Sequence, residues 1–269
     1  SRGITKRLLS IGHMAELMPV LIKNPKKLTL YIKTISSTLK KYDYDGVEID
    51  WEQTINIKDH LKLMTLLRSE LNKISKNNQR KYILTTAMHS YLATRYDKKS
   101  ATNLSQQVDF LNIMTYDFGG GNWGKKASHN TPLPAIKKYM AKWRQHFSAH
   151  KLHMGMANYG YLYMNLKPNT ANREAVRRGR SITWQTMQKL ILQGWQEKWD
   201  KRQTAALYFS PDGKSFASFD TQQSIERKID YAQQEGFKLF WWEFHCDYNS
   251  KNNSNPMLDS ASKYIKSKN

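Results

Sequence analysis

Three carboxyl-bearing residues stand two apart in the segment Asp45-Gly46-Val47-Glu48-Ile49-Asp50-Trp51-Glu52. Residues two apart in an extended strand face the same way, so Glu48, Asp50 and Glu52 share one side and Val47, Ile49 and Trp51 the other. Like charges this close cannot all ionise near neutrality. At least one pKa must rise, and the group at the end of the row becomes a proton donor. The titration then belongs to the cluster as a whole. Two settings produce such a pattern. One is an exposed edge strand with alternating acids. The other is a strand of a closed barrel whose acids point inward near the C-terminal mouth, where barrel enzymes keep their sites. The apolar opposite side needs its own cover, and a glycine and a tryptophan accompany the acids, which counts against the edge strand.

The elements around this row alternate between strand and helix, the order of an α/β protein with a parallel sheet. An apolar run covers Arg7–Gly12. A helix is predicted from about Pro25 to Tyr42, with Leu28, Tyr31, Ile32, Ile35 and Leu39 at helical spacing. The acidic strand follows at Val47–Trp51, then a helix over Lys58–Ile74. Strands are predicted at Tyr82–Met88, Val108–Tyr116 and Leu152–Tyr159, with a helix at Pro134–Phe147. From about Tyr161 the alternation breaks. A polar stretch, Lys167–Arg180, leads to a Trp-rich helical segment (Trp184, Trp195, Trp199) and two short β runs, Ala206–Phe209 and Ser215–Phe219. A helix at Ser224–Glu235 and a strand at Phe237–Phe244 restore it. No repeat of solenoid period and no low-complexity tract is present.

The acid spacing, written DGVEIDWE, resembles the fourth-strand signature of family 18 glycoside hydrolases, the chitinase family. Further landmarks follow in order. Leu9-Ser10-Ile11-Gly12 is similar to the third-strand segment and Met114-Thr115-Tyr116-Asp117 to the sixth-strand motif. Trp123 and His129-Asn130 stand where a loop tryptophan and a His-Asn pair are usual, and Gly155–Gly160 resembles the seventh strand. Ser218-Phe219-Asp220, Ser224-Ile225, Trp242-Glu243 and Asp247 resemble the surroundings of the eighth. The resemblance implies a (β/α)8 TIM barrel. Residues 1–160 would hold strands three to seven, 161–222 a small α+β insertion, and 223–269 strand eight with the final helix. The first two β/α units have no counterpart in this sequence and would be missing or supplied elsewhere. Three positions depart from the family pattern: Glu48 stands for Asp, His13 for a glycine, and Tyr161 for a frequent Arg.

Roles carry over residue by residue. Glu52 would protonate the glycosidic oxygen while the sugar's own N-acetyl carbonyl attacks the anomeric carbon, an exception to the two-carboxylate scheme. Asp50 would hold the acetamido N–H, with Glu48 in the same proton-sharing row. Tyr116 would donate to the acetamido oxygen and Asp117 contact the same sugar. Trp242 would floor that sugar and Trp123 stack nearer the product side, with Tyr159, Ser10 and Met114 also at the substrate. The implied reaction is retaining, endo-type hydrolysis of chitin or a related N-acetylglucosamine glycan, without metal or organic cofactor, in a secreted or extracellular setting. Other roles exist for some of these residues. Tyr116 and Asp117 could end a strand and cap a helix, Trp242 or Trp241 could be core, and Trp123 could pack under the Gly119–Gly121 loop. Ser10 could support the inner carboxylates.

Composition narrows the alternatives. With 39% hydrophobic and 12% aromatic residues the chain can bury a core. Cys246 is the sole cysteine, so no internal disulfide forms. No run reaches the roughly 18 apolar residues of a membrane span. The balance of 43 basic against 22 acidic residues, net +21, suits anionic surfaces, but no nucleic-acid motif accompanies it. Three rivals therefore stand beside the chitinase. A chitinase-like lectin would usually lack the donor that Glu52 supplies. An endo-β-N-acetylglucosaminidase acting on N-glycans would differ in cleft depth. An acidic-polymer binder would bind in a steeply salt-dependent way. His146, His150 and His153 have the spacing of a helical zinc site, but a helix end running into a strand would separate the third from the pair.

Overall fold

Gly46–Ile49 becomes a strand because branched apolar side chains on one side are covered while both edges are hydrogen-bonded. The computed structural model describes residues 5–12, 15–52, 55–119, 126–166 and 178–268. It comprises two units: residues through Ile113 with Lys142–His153, and Met114–Ala141 with the residues from Met154 onward.

In the first unit the order is β1 (Leu8–Ile11), α1 (Leu17–Lys23), α2 (Pro25–Lys41), β2 (Gly46–Ile49), α3 (Ile57–Asn78), β3 (Ile83–His89), α4 (Lys98–Gln107) and β4 (Phe110–Met114). The strands lie in the order β1-β2-β3-β4. β2 pairs in parallel with β1 and β3, Glu48 standing opposite Ser10 on one side and Thr85 on the other. The edge-strand setting is thereby excluded. Gly46 is required here, since a Cβ would come within 2.1 Å of the Ile83 carbonyl oxygen. Helix starts follow local chemistry: Asn24 accepts from the Lys27 amide ahead of Pro25, and Asn56 accepts from the Asp59 amide. Asp45, just before β2, accepts from the Arg7 amide at 2.9 Å and from Arg80 at 2.6 Å. Those partners, the Arg7 amide first, hold its carboxyl down at about 2.

Val47, Ile49 and Trp51 are fully buried on the side away from the acids. Trp51 meets the edge of His60, whose Nδ1 lies 2.8 Å from the Tyr96 hydroxyl and whose Nε2 lies 3.2 Å from Thr86 Oγ1. Burial pushes His60 down to about 4, so it sits in the core as a neutral ring.

The chain continues with α5 (Leu133–Arg144), β5 (Leu152–Ala157), β6 (Tyr159–Tyr163), β7 (Arg180–Thr183), α6 (Trp184–Leu192), β8 (Gln196–Asp200), β9 (Ala205–Phe209), β10 (Phe216–Ser218), α7 (Gln222–Glu235), β11 (Lys238–Trp242) and α8 (Pro256–Ser267). β5 neighbours β11, while β7-β6-β10-β9-β8 form a separate antiparallel sheet. All six strands predicted for the barrel occur, as β1 to β5 and β11. Two expectations need correction. The single strand at Leu152–Tyr159 is two strands in different sheets, broken at Asn158, whose amide donates to the Trp242 carbonyl at 2.9 Å. The Trp-rich helical segment ends at Leu192, because Gly194 takes φ +86°, and Trp199 then lies on β8 opposite Ala206.

One buried ion pair secures the second unit. Lys228, with no exposed surface, pairs with Asp220 and donates to Thr131 Oγ1 at 2.9 Å. Asp220 also accepts from Ser224 at 2.7 Å and from Thr131 at 2.9 Å. Removing one partner strands a buried charge, so Lys228→Ala should cost about 3–5 kcal/mol of unfolding free energy. Urea denaturation measures this, and an Asp220→Leu/Lys228→Met double variant should recover most of the loss. No helix among the described residues is long and apolar enough to cross a membrane.

Candidate active site

The acid row begins at Glu48, whose carboxylate accepts from Asn112 Nδ2 at 2.5 Å and from Ser10. Burial pushes this carboxyl upward, and the two hydrogen bonds pull the other way. Ser10 comes from β1 beside it and Asn112 from β4, two strands away on the other side, so the longer Glu side chain finds a donor in each direction along the sheet. Ser10 is thus a support of the inner carboxylate.

Asp50 is next on the same face. Burial raises its carboxyl to about 7, with the nearby charges of Glu52 and Glu48 and a hydrogen bond with Glu52 adding to the effect. Two carboxyls hydrogen-bonded to each other must share a proton, so the pair holds one proton near neutrality. The Asp50 Oδ1 oxygen is buried and has no hydrogen-bond partner among the described residues. Gly12 leaves room beside it, since a Cβ there would lie 3.2 Å from Asp50 Oδ2. Glu52 lies where the strand has ended, its side chain 40% exposed, with Oε2 3.5 Å from His89 Nε2. The row therefore offers an accessible acid backed by a half-buried, proton-sharing partner.

A second cluster gathers in the other unit after β4. Tyr116 is buried, edge-on to Tyr159 at 6.0 Å and to Phe240 at 6.1 Å. Asp117 adopts φ +62°, a conformation that costs a residue with a Cβ roughly 1 kcal/mol or more. It is held there because its amide donates to Asn130 Oδ1 at 2.8 Å. Its carboxylate accepts from the Tyr159 and Tyr161 hydroxyls at 2.6 and 2.7 Å. Burial raises both phenols above their ordinary range, with the Asp117 charge adding to it, so they stay donors. Tyr161, at the position read as a frequent Arg, thus anchors Asp117 through a neutral phenol.

A family model for glycosyl hydrolases family 18 matches residues 4–247. The chain belongs to this family. It is 24% identical to sporulation-specific chitinase 2 of Saccharomyces cerevisiae over 95% of its own length, and spans 57% of that relative. Among solved structures, a family 18 chitinase of Cycas revoluta in complex with (GlcNAc)3 superposes with a TM-score of 0.82 at 20% identity, covering 97% of this chain and 81% of the other. The chitinase-like agglutinin of Robinia pseudoacacia gives 0.78 at 20% identity, with 97% and 81% covered. These likenesses give the fold as the α/β, TIM-like barrel of the family.

The remaining predicted residues of this family 18 chain fall as follows. Trp242 ends β11 and is 48% exposed, while its neighbour Trp241 is half-buried. Met114 is buried at the end of β4. Trp123 and His13 lie outside the described residues. Asn130 braces the second cluster from three atoms, donating to Ser218 Oγ and the Tyr159 carbonyl and accepting from Asp117. The three histidines with zinc-like spacing do not assemble. His146 lies past the end of α5, His150 sits in a 3-10 turn, and His153 on β5 stacks on Phe110. Among the described residues, only Glu243, His245 and Cys246 bring three metal-ligating atoms together, all within 4.8 Å. Sequence reasoning missed Asn112 and His89. Neither carries a signal of its own in the sequence, because what aligns them with the acids is the strand register.

Proposed function

We propose that this chain hydrolyses β-1,4-linked N-acetylglucosamine polymers, chitin and its oligosaccharides, with retention and in endo fashion, using the substrate's acetamide as nucleophile. The supporting observation is the buried Asp50 oxygen, unpartnered among the described residues, in the carboxyl that is hydrogen-bonded to Glu52. An acceptor of that kind suits an amide N–H.

In this reading Glu52 gives its proton to the glycosidic oxygen as the C1–O bond breaks. The acetamido carbonyl oxygen bonds to C1 and forms an oxazolinium ion, while Asp50 accepts from the N–H and balances the positive charge. Water then attacks C1, Glu52 takes a proton from it, and the ring opens to the free sugar. Tyr116 donates to the acetamido oxygen, Asp117 and Tyr159 fix the same sugar, and Trp242 lies under it. Met114 adds to the substrate-binding set and Ser10 supports Glu48. Trp123 serves as a further stacking platform. Residues 161–222 act as an insertion that walls the glycan groove, and the basic surface adds affinity for anionic material around the polymer. A chitin substrate implies a secreted or extracellular setting.

Trp242→Ala should raise KM for a chitooligosaccharide about tenfold or more, the worth of losing most of an aromatic burial, with a smaller effect on kcat. Steady-state kinetics separates the two. The likeness to an agglutinin favours a second reading, glycan binding without turnover. Incubation with the N-acetylglucosamine hexamer, followed by mass spectrometry, distinguishes them: shorter oligomers are expected, and an intact hexamer that nevertheless binds supports the lectin. An N-glycan assayed in parallel tests the endo-β-N-acetylglucosaminidase alternative.

A further inference from the structure

We propose that His89 is a positioning residue for the proton donor, a second partner that holds Glu52 and couples the acid pair to a titratable imidazole. The inference rests on the proposed role of Glu52 and deepens it. Register explains how the two residues meet. Glu48 on β2 stands opposite Thr85 on β3 in a parallel pair. Four residues further on come His89, at the end of β3 and on the face of Thr85, and Glu52, just past the end of β2. The observed separation agrees, with His89 Nε2 3.5 Å from Glu52 Oε2.

The imidazole does not swing freely. It stacks on Tyr91 with centroids 5.3 Å apart and planes 21° from parallel, and its side chain is 19% exposed. The ring plane is set by a neighbour outside the acid row. Among the described residues, the titratable groups facing His89 are Glu52 at 3.5 Å, Asp50, whose carboxyl feels the imidazole's charge, and Tyr91 from the turn after β3. Two carboxyls thus confront one imidazole. As an N–H donor, neutral His89 steadies the Glu52 carboxylate during the step in which it accepts a proton from water. As a cation it favours the ionised form of the pair, so the shared proton is released more easily.

The sign follows. Removing His89 removes a group that stabilises the deprotonated pair, so the pair keeps its proton to higher pH. His89→Ala should move the alkaline limb of kcat/KM upward by about half a pH unit and lower kcat about tenfold, since a misplaced acid is expensive. His89→Gln keeps a neutral donor. It should recover most of kcat while the limb stays displaced, a split that a merely structural role would not give. A carbon-13 NMR titration of the Asp50 and Glu52 carboxyls, which needs no turnover, should show the same upward move of the pair in His89→Ala. Superimposable titrations in the wild type and His89→Ala overturn the inference. A titration displaced in His89→Ala, together with a wild type that cuts no oligosaccharide, overturns the hydrolase reading and leaves the pairing standing.

Discussion

Glu52→Gln should lower kcat/KM on a chitooligosaccharide by about a thousandfold or more, while the Kd stays within about threefold of wild type. A positioned general acid contributes roughly 10²–10⁴ in rate, and Glu52 is asked to serve as acid in one step and base in the next. No other carboxyl can take its place. Glu48 is engaged by Asn112 and Ser10 deeper in the row, and Asp50 is half-buried and hydrogen-bonded to the acid. Glutamine keeps the size and one hydrogen-bonding arm, so the sugar still finds its groove. Isothermal titration with the N-acetylglucosamine tetramer reads binding, and product release from the hexamer reads turnover. Loss of binding together with turnover would place Glu52 in the substrate's grip instead of in proton transfer.

Asp50→Asn should cost about a hundredfold or more in kcat and at the same time stabilise the fold at alkaline pH. The sign comes from linkage. In the folded protein the Asp50 carboxyl titrates at about 7, against an ordinary value of 3.8. Between those values the folded state holds a proton that the unfolded chain has released, so stability falls as pH rises through that window and stays low above it. Three units would amount to roughly 4 kcal/mol at ~1.4 kcal/mol per unit, and solvent access and sharing with Glu52 reduce this to about 1–2 kcal/mol. Asparagine removes the like-charge penalty. Its thermal midpoint should match wild type near pH 4 and exceed it at pH 8, with a flatter dependence between. An unchanged slope in differential scanning calorimetry would mean that Asp50 ionises freely in the native site.

Much of the acid row was readable because strand periodicity is local. Glu48, Asp50 and Glu52 alternate with Val47, Ile49 and Trp51 whatever the rest of the chain does, and the burial of the apolar set follows that alternation. Asp117 comes from the resemblance of Met114-Thr115-Tyr116-Asp117 to the family's sixth-strand motif, not from periodicity, and its anchoring by Tyr159 and Tyr161 has no such signal. That contact joins residues over forty positions apart and depends on β6 leaving the line of β5 at Asn158. Trp195 and Trp199 misled for a related reason. Their four-residue spacing fits a helix, but the left-handed Gly194 ends α6 and pairing with β9 makes the next residues a strand. His89 carried no sequence signal of its own. Its meaning comes from the β2–β3 register, a tertiary fact that only the folded sheet supplies.

The claim on which the account rests is that the sugar's acetamide attacks the anomeric carbon. Proton NMR of the reducing ends released in the first minutes from a β-linked N-acetylglucosamine oligomer tests this most directly. Two displacements at one carbon predict that the β anomer appears first and drifts to the equilibrium mixture. An initial excess of the α anomer means that water attacked directly, and it would contradict the assignment of Asp50 and Glu52.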